Sequence, residues 1–309
     1  MPASVSQSRR LFSRPARLAA IFPYVWMTLF FLLPFLFIVK ISLSQTAIAQ
    51  PPYTPVIDLA QGWAGIRAAL AELTFDNFRL LASDNLYVLS YLRSLVVALV
   101  ATAILTLIGY PVAYGMSRLP RNWQTFAMML VIVPFWTSFL IRVYAWINVL
   151  QRDGLLNDLL MALHIVSAPV AWLWTDTAMY IGIVYSYFPF MILPLYATLS
   201  KMDPALLEAA ADLGASRRQA FWLVTWPLSR PAIAAGSLLC FIPIVGEFVI
   251  PDLLAGSDRM MIGQTLWLEF FTNKDWPVAS ALAAVLLVVL LAPLLFYERM
   301  QRRQLEAER

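Results

Sequence analysis

Charge is scarce in this chain, so the places where it interrupts apolar sequence are the first candidates for chemistry. Of 309 residues, 61% are hydrophobic and only 13% are charged. Lys40, Arg142 and Glu247 fall within long apolar runs. An ionised side chain at the centre of a bilayer costs about 2.5–3.5 kcal/mol on insertion scales, so each must face protein or water. Lys40 stands at the end of its run, from where its ammonium can snorkel to the interface. Arg142 is followed by Tyr144 and Trp146. Glu247 follows Gly246 and lies between Pro243 and Pro251. Those prolines bend a helix and free carbonyls, which is tolerated where the helix lines a cavity, and Pro134, Pro189 and Pro194 do likewise in the apolar runs around them. Trp136, Tyr144, Trp146, Tyr185 and Tyr187 could offer aromatic faces to a cation, each worth about 0.5–2 kcal/mol. The alternative for each ring is packing against a neighbouring helix or a place in the interface belt. For Glu247, contact with a cationic solute and an ion pair with Arg142 both stay open.

A second group of residues has a different character. Asp203-Pro204 opens a helix, with Asp as its cap and Pro at the first helical position. The helix runs Ala205 to Leu213 and contains Glu208, Ala209 and Ala210. Gly214 stops it, because a left-handed cap favours glycine. A second helix begins after Ser216 and ends near Pro227, with Val224 one turn earlier. Two short amphipathic helices therefore meet at a glycine elbow. Small alanines let another backbone come close, and Glu208 offers an anchoring charge. That is a surface for a protein partner. A helix lying on lipid usually carries a strongly basic polar face, which this one lacks.

Other chemistries are excluded by what the chain does not contain. A single cysteine, Cys240, and a single histidine, His164, make an internal disulfide impossible and a transition-metal site of protein ligands improbable. His164 reads as a solvated loop residue, so no serine–histidine–acid nucleophile is formed. No G-x-x-x-x-G-K-[ST] loop is present to cradle a nucleotide. The composition excludes an ordinary soluble domain, where about 25% of residues are charged.

The elements that position these residues are transmembrane helices, each needing about 20 apolar residues. Six runs qualify: 21–43, 94–117, 125–150, 177–200, 230–253 and 278–298. The fold class is therefore all-α integral membrane, with a tail over 1–20, six spans over 21–298 and a second tail over 299–309. The first run follows a basic segment, and Ala47-Ile48-Ala49 resembles a signal cleavage site. The run is longer than the roughly 7–15 residues of a signal core, so it reads as a retained anchor. Its outer loop, 44–93, starts with Pro51, Pro52 and Pro55, which forbid a helix there. From Thr74 to Leu89 the pattern predicts a short helix on the membrane surface. Lysine and arginine set the orientation. Arg9, Arg10, Arg14, Arg17, Arg118, Arg121, Lys201, Arg217, Arg218, Arg230, Arg299, Arg302, Arg303 and Arg309 fall on one side. Both termini and the elbow loop, 201–229, are then cytoplasmic. The opposite side is acidic, with Asp58, Glu72, Asp76, Asp84, Asp153, Asp158, Asp176, Asp252, Asp258, Glu269 and Asp275 against fewer bases. Such a surface raises the local concentration of a cation or complements a basic partner.

The register Glu208-Ala209-Ala210, Gly214, Val224 and Pro227 resembles the signature of the permease subunits of bacterial ABC importers. Val224 and Trp226 stand where that family usually has Ile and Leu. Pro134-Phe135-Trp136-Thr137-Ser138-Phe139-Leu140-Ile141-Arg142, Gly154-Leu155-Leu156-Asn157 and Gly246-Glu247-Phe248-Val249-Ile250-Pro251 are similar to permeases of the spermidine/putrescine type, nearest the putrescine one. The resemblance implies a type I importer fold in the bacterial inner (plasma) membrane. It implies that Glu208, Ala209, Ala210, Gly214, Val224 and Pro227 dock into a cleft of an ATPase. It implies two ATPase copies that bind ATP and Mg, a second homologous permease subunit and an external polyamine-binding protein. The chain itself would hold no cofactor or metal and catalyse nothing. Its contacts would be those proteins and lipid, with no nucleic acid. Glu247, Trp136, Tyr144, Trp146 and Tyr185 become substrate-path candidates. Another organic cation, ferric iron, or a stand-alone secondary carrier are the alternatives.

Overall fold

The computed structural model describes residues 14–58, 60, 62–256 and 260–307. The expectations placed on Arg9, Arg10, Asp258 and Arg309 lie outside the described residues. The chain divides into two compact units, one of Met1–Leu81 with Glu269–Val285, the other of Ala82–Leu268 with Leu286–Arg309.

In the first unit, α1 (Arg14–Met27), a π turn (Thr28–Leu32) and α2 (Leu33–Ser42) follow one another. Ile21–Ser42 is long and apolar enough to span a membrane, and none of its most apolar stretch is buried. A two-stranded antiparallel hairpin follows, β1 (Gln45–Thr46) on β2 (Tyr53–Thr54), with the three prolines at and after its turn. The Lys40 ammonium donates to the Pro55 carbonyl and lies 4.4 Å from the Tyr53 ring centre. α3 (Gly62–Ala71) and α4 (Asp76–Ser83) complete the loop, and Asn77 ties it back by donating to the Ser42 and Ser44 carbonyls.

The second unit is built on α5 (Asn85–Arg118), α9 (Asp176–Leu199) and α12 (Trp226–Val245), which pack on one another. Lipid tails are as apolar as leucine, so contact between such helices depends on close packing of small residues rather than on escape from water. Gly109 of α5 and Gly236 of α12 both close on Met191 of α9: an added Cβ would sit 2.9 Å from Met191 Cγ and 2.9 Å from its Sδ, respectively. Leu105, Ile192, Leu195, Cys240 and Ile244 are fully buried. Polar links pin its ends. Tyr110 and Ser229 share a 3.0 Å hydrogen bond, and Arg93 pairs with Asp176 at 2.5 Å.

The spans differ from the sequence reading in three ways. The second begins at Asn85 rather than 94, because Asp84 Oδ1 accepts from the Leu86 N–H and starts the helix there. Leu86, Tyr87 and Leu89 thus belong to the span, and the surface helix is only α4. The third is not one rod. α6 (Arg121–Ile132) passes into a 3-10 turn (Val133–Trp136), the chain breaks, and α7 (Phe139–Leu150) and α8 (Leu155–Ala162) follow. The two halves are bent by 96°. The fifth runs from Arg217 to Val245, not 230–253. α11 (Arg217–Ala220) enters a π turn (Phe221–Thr225) and continues as α12 without ending at Pro227. The Trp226 N–H reaches back to the Phe221 carbonyl, and this widened turn accommodates the following proline ring. After Val245 come α13 (Val249–Leu254) and α14 (Ile262–Trp267). α15 (Trp276–Ala307) is the last helix. Among the described residues there are five candidate spans, and the bent pair taken as one span makes a sixth.

Candidate functional site

The elbow is formed as its residues dictate. α10 (Ala205–Asp212) opens where the Ala205 N–H donates to Asp203 Oδ1 at 2.9 Å, with Pro204 already in helical geometry. It closes in a Schellman motif. Gly214 has φ +83°, its N–H donates to the Ala211 carbonyl at 2.9 Å, and the Ala215 N–H donates to that of Ala210 at 3.0 Å. No atom lies within 4 Å of a Cβ added at Gly214, so glycine is required by the backbone angle and not by crowding. The next helix opens with a capping box: the Gln219 N–H donates to Ser216 Oγ at 3.4 Å, and the Ser216 N–H to Gln219 Oε1 at 2.8 Å. The Ser216-x-x-Gln219 spacing carried this signal. Glu208 and Ala209 are exposed, Ala210, Val224 and Pro227 are half-buried, and Leu213 stands 89% exposed beside the glycine. Trp222 and Leu223 of the π turn are also exposed.

The bend in the third span is closed by Arg142. Its Nη1 donates to the Pro134 carbonyl at 3.1 Å, and its guanidinium lies 4.2 Å from the Phe135 ring centre. The carbonyl lies in the 3-10 turn after α6 and also accepts from the Thr137 N–H at 3.4 Å and the Thr137 hydroxyl at 2.7 Å. Arg142, Trp146 and Tyr185 line a cavity of about 370 Å³ together with Thr137. Trp146 and Tyr185 meet edge to face with ring centres 5.3 Å apart. Trp136 and Tyr144, expected in the same path, are exposed and do not line this cavity.

Glu247 sits outside the fifth span, at the break after Val245, and is only 8% exposed. It forms no ion pair with Arg142. One carboxylate oxygen accepts from the N–H groups of Val249 (3.1 Å) and Ile250 (3.4 Å), capping α13. The other accepts from the Tyr187 hydroxyl of α9. Tyr187 was expected only as an aromatic face, and its role is that of a donor. The break is also tight: a Cβ on Gly263 of α14 would lie 2.6 Å from the Gly246 and Glu247 carbonyl oxygens. Asn157, fully buried, was noted only as part of a motif. It donates to the Gln151, Arg152 and Val170 carbonyls and accepts from Val170 N–H and Trp172 Nε1, which organises the segment between α7 and α9. His164 is exposed, and among the described residues no cluster of His, Cys, Asp and Glu is arranged to hold a metal.

Residues 106–304 match the family described as binding-protein-dependent transport system inner membrane component. The spermidine/putrescine transport system permease protein PotB of Salmonella typhimurium strain SL1344 is 40% identical over 229 residues, 74% of this chain and 79% of that protein. Its namesake in Escherichia coli K12 is 40% identical over the same share of this chain and 83% of its own length. The inner membrane ABC transporter permease protein YdcU of E. coli K12 is 32% identical, covering 74% of this chain and 76% of that protein. Among solved structures, a chain of a bacterial ABC transporter importing the acidic polysaccharide alginate has the same fold. The TM-score is 0.67 at 19% identity, covering 93% of this chain and 95% of that one.

Proposed function

The chain belongs to the binding-protein-dependent transport system inner membrane components, and from that premise we propose that it is the membrane-spanning subunit of an ATP-driven polyamine importer. The observation that carries the reading is the 40% identity to spermidine/putrescine permeases over 74% of the chain. The elbow at Gly214 supports it physically, as a preformed and exposed pair of helix ends fit for a partner's cleft.

In this reading a separate ATPase, present twice, binds ATP and Mg and hydrolyses it, and this chain catalyses no reaction. Closure of the ATPase pair pulls on α10 through Glu208, Ala209 and Ala210. Because α11 continues through the π turn into α12, the pull passes directly to a span of the three-helix seam. A second permease subunit completes the substrate path, and an external binding protein delivers the cation to the acidic outer side. The termini and the elbow are cytoplasmic, following the distribution of lysine and arginine. Glu247 acts by holding α13 in place.

The test is ATPase stimulation of the reconstituted complex by binding proteins loaded with putrescine, spermidine, another organic cation or ferric iron. Stimulation by the polyamine-loaded proteins is expected. Stimulation only by a different load would move the assignment to that solute. Uptake by this chain without an ATPase would overturn the reading.

A further inference from the structure

Arg142 is 9% exposed and carries a permanent charge. A guanidinium has five N–H donors, yet a single hydrogen bond, to the Pro134 carbonyl, is made by this one. Its Nε is sealed from the surface with no partner. Among the described residues no carboxylate pairs with it, whereas Arg93, for example, is matched by Asp176. The rings of Phe135 and Phe139, 4.2 and 5.8 Å from the guanidinium carbon, compensate only part of the charge. A buried charge without a counter-charge is costly, so a buried arginine of this kind is normally matched by an anion.

The cavity beside it suits such an anion. It holds about 370 Å³ and has Thr137 and the Trp146 and Tyr185 rings as further walls. Around it, Trp136, Ile141 and Tyr144 are exposed. A patch of exposed aromatic and aliphatic residues around a half-satisfied arginine has the composition of a protein–protein contact centre. We infer that this cavity is a socket for a carboxylate side chain of the second permease subunit, which enters it, neutralises Arg142 and locks the bent third span in the assembled pair. The inference rests on the reading above that such a subunit exists. A polyamine cannot take that place, because its charge has the wrong sign.

The experiment uses the complete complex in nanodiscs, with a photo-crosslinking residue at Ile141 on the rim. Expected is a cross-link to a peptide of the second permease that contains Asp or Glu. Arg142→Glu should lower recovery of the paired subunits about tenfold or more, and exchanging the identified acid for Arg should restore it. Arg142→Lys, which keeps the charge, should keep most of the pair together. Cross-links only to lipid or within this chain would overturn the inference, as would failure of the charge exchange to restore recovery. Pairing is read without substrate, so a wrong polyamine assignment would leave these results unchanged and appear only in the ATPase assay.

Discussion

The elbow at Gly214 and the break at Gly246–Phe248 both end a helix and start another, but they are held in opposite ways. Every bond that shapes the elbow joins residues a few positions apart: Asp203 to Ala205, Gly214 to Ala211, Ala215 to Ala210, Ser216 to Gln219. Its surroundings are open, and the added Cβ at Gly214 meets nothing. The second break is held from afar. Tyr187, sixty positions upstream, donates to Glu247, and Gly263 presses on the carbonyls of Gly246 and Glu247. The first can shift without losing an internal bond, which suits the transmission role proposed for it. The second is fixed to the neighbouring helices, as a scaffold must be.

The comparison is broken or sharpened by substitution at each side. The largest effect is expected at Glu247. Glu247→Ala leaves the Tyr187 hydroxyl and two amides of α13 unsatisfied, and unfolding in detergent should come about 3 kcal/mol or more earlier. Glu247→Gln retains an acceptor and should lose less. Because no pair with Arg142 exists, combining Glu247→Gln with Arg142→Gln should give additive losses within about 0.5 kcal/mol. A double variant more stable than either single one would restore the ion-pair reading. Gly263→Ala comes next. Its methyl meets backbone oxygen at 2.6 Å, atoms that cannot swing aside, and a loss of about 1–3 kcal/mol in the same melt is expected.

The elbow should respond with small stability changes. Gly214→Ala meets no atom and costs only the left-handed backbone angle, about 1–2 kcal/mol confined to the end of α10. The global melt should barely move, while local hydrogen exchange over residues 205–215 should quicken. Ser216→Ala removes one half of the capping box and should cost about 1 kcal/mol or less. A large global destabilisation from either would mean the elbow is part of the scaffold.

Legibility in the sequence follows the same division. The elbow was readable because its signals are local: Asp-Pro opens, Gly closes, Ser caps. The extent of its second helix was misread, because a proline after a π turn looks the same in sequence as a proline that ends a helix. A bend in the third span was legible from Pro134, but its size and its place at residues 137–138 were hidden, since hydropathy counts apolar residues without regard to direction, and both sides of the bend are apolar. For the same reason Phe248 to Pro251 looked like a continuation of span five, which placed Glu247 inside it. Tyr187 and Gly263 carry no local mark at all. Their importance arises from contacts that only the folded chain makes.

The account rests most heavily on the elbow being the transmission element, and Gly214→Val tests it most directly. A branched residue cannot take φ +83° without strain, so the second coupling helix is misplaced while the seam of α5, α9 and α12 is untouched. Putrescine uptake and ATP hydrolysis are measured on the same proteoliposomes carrying the complete complex. Predicted is a protein that inserts and melts as the native one does but whose uptake is lost. Native uptake at native protein levels would contradict the account.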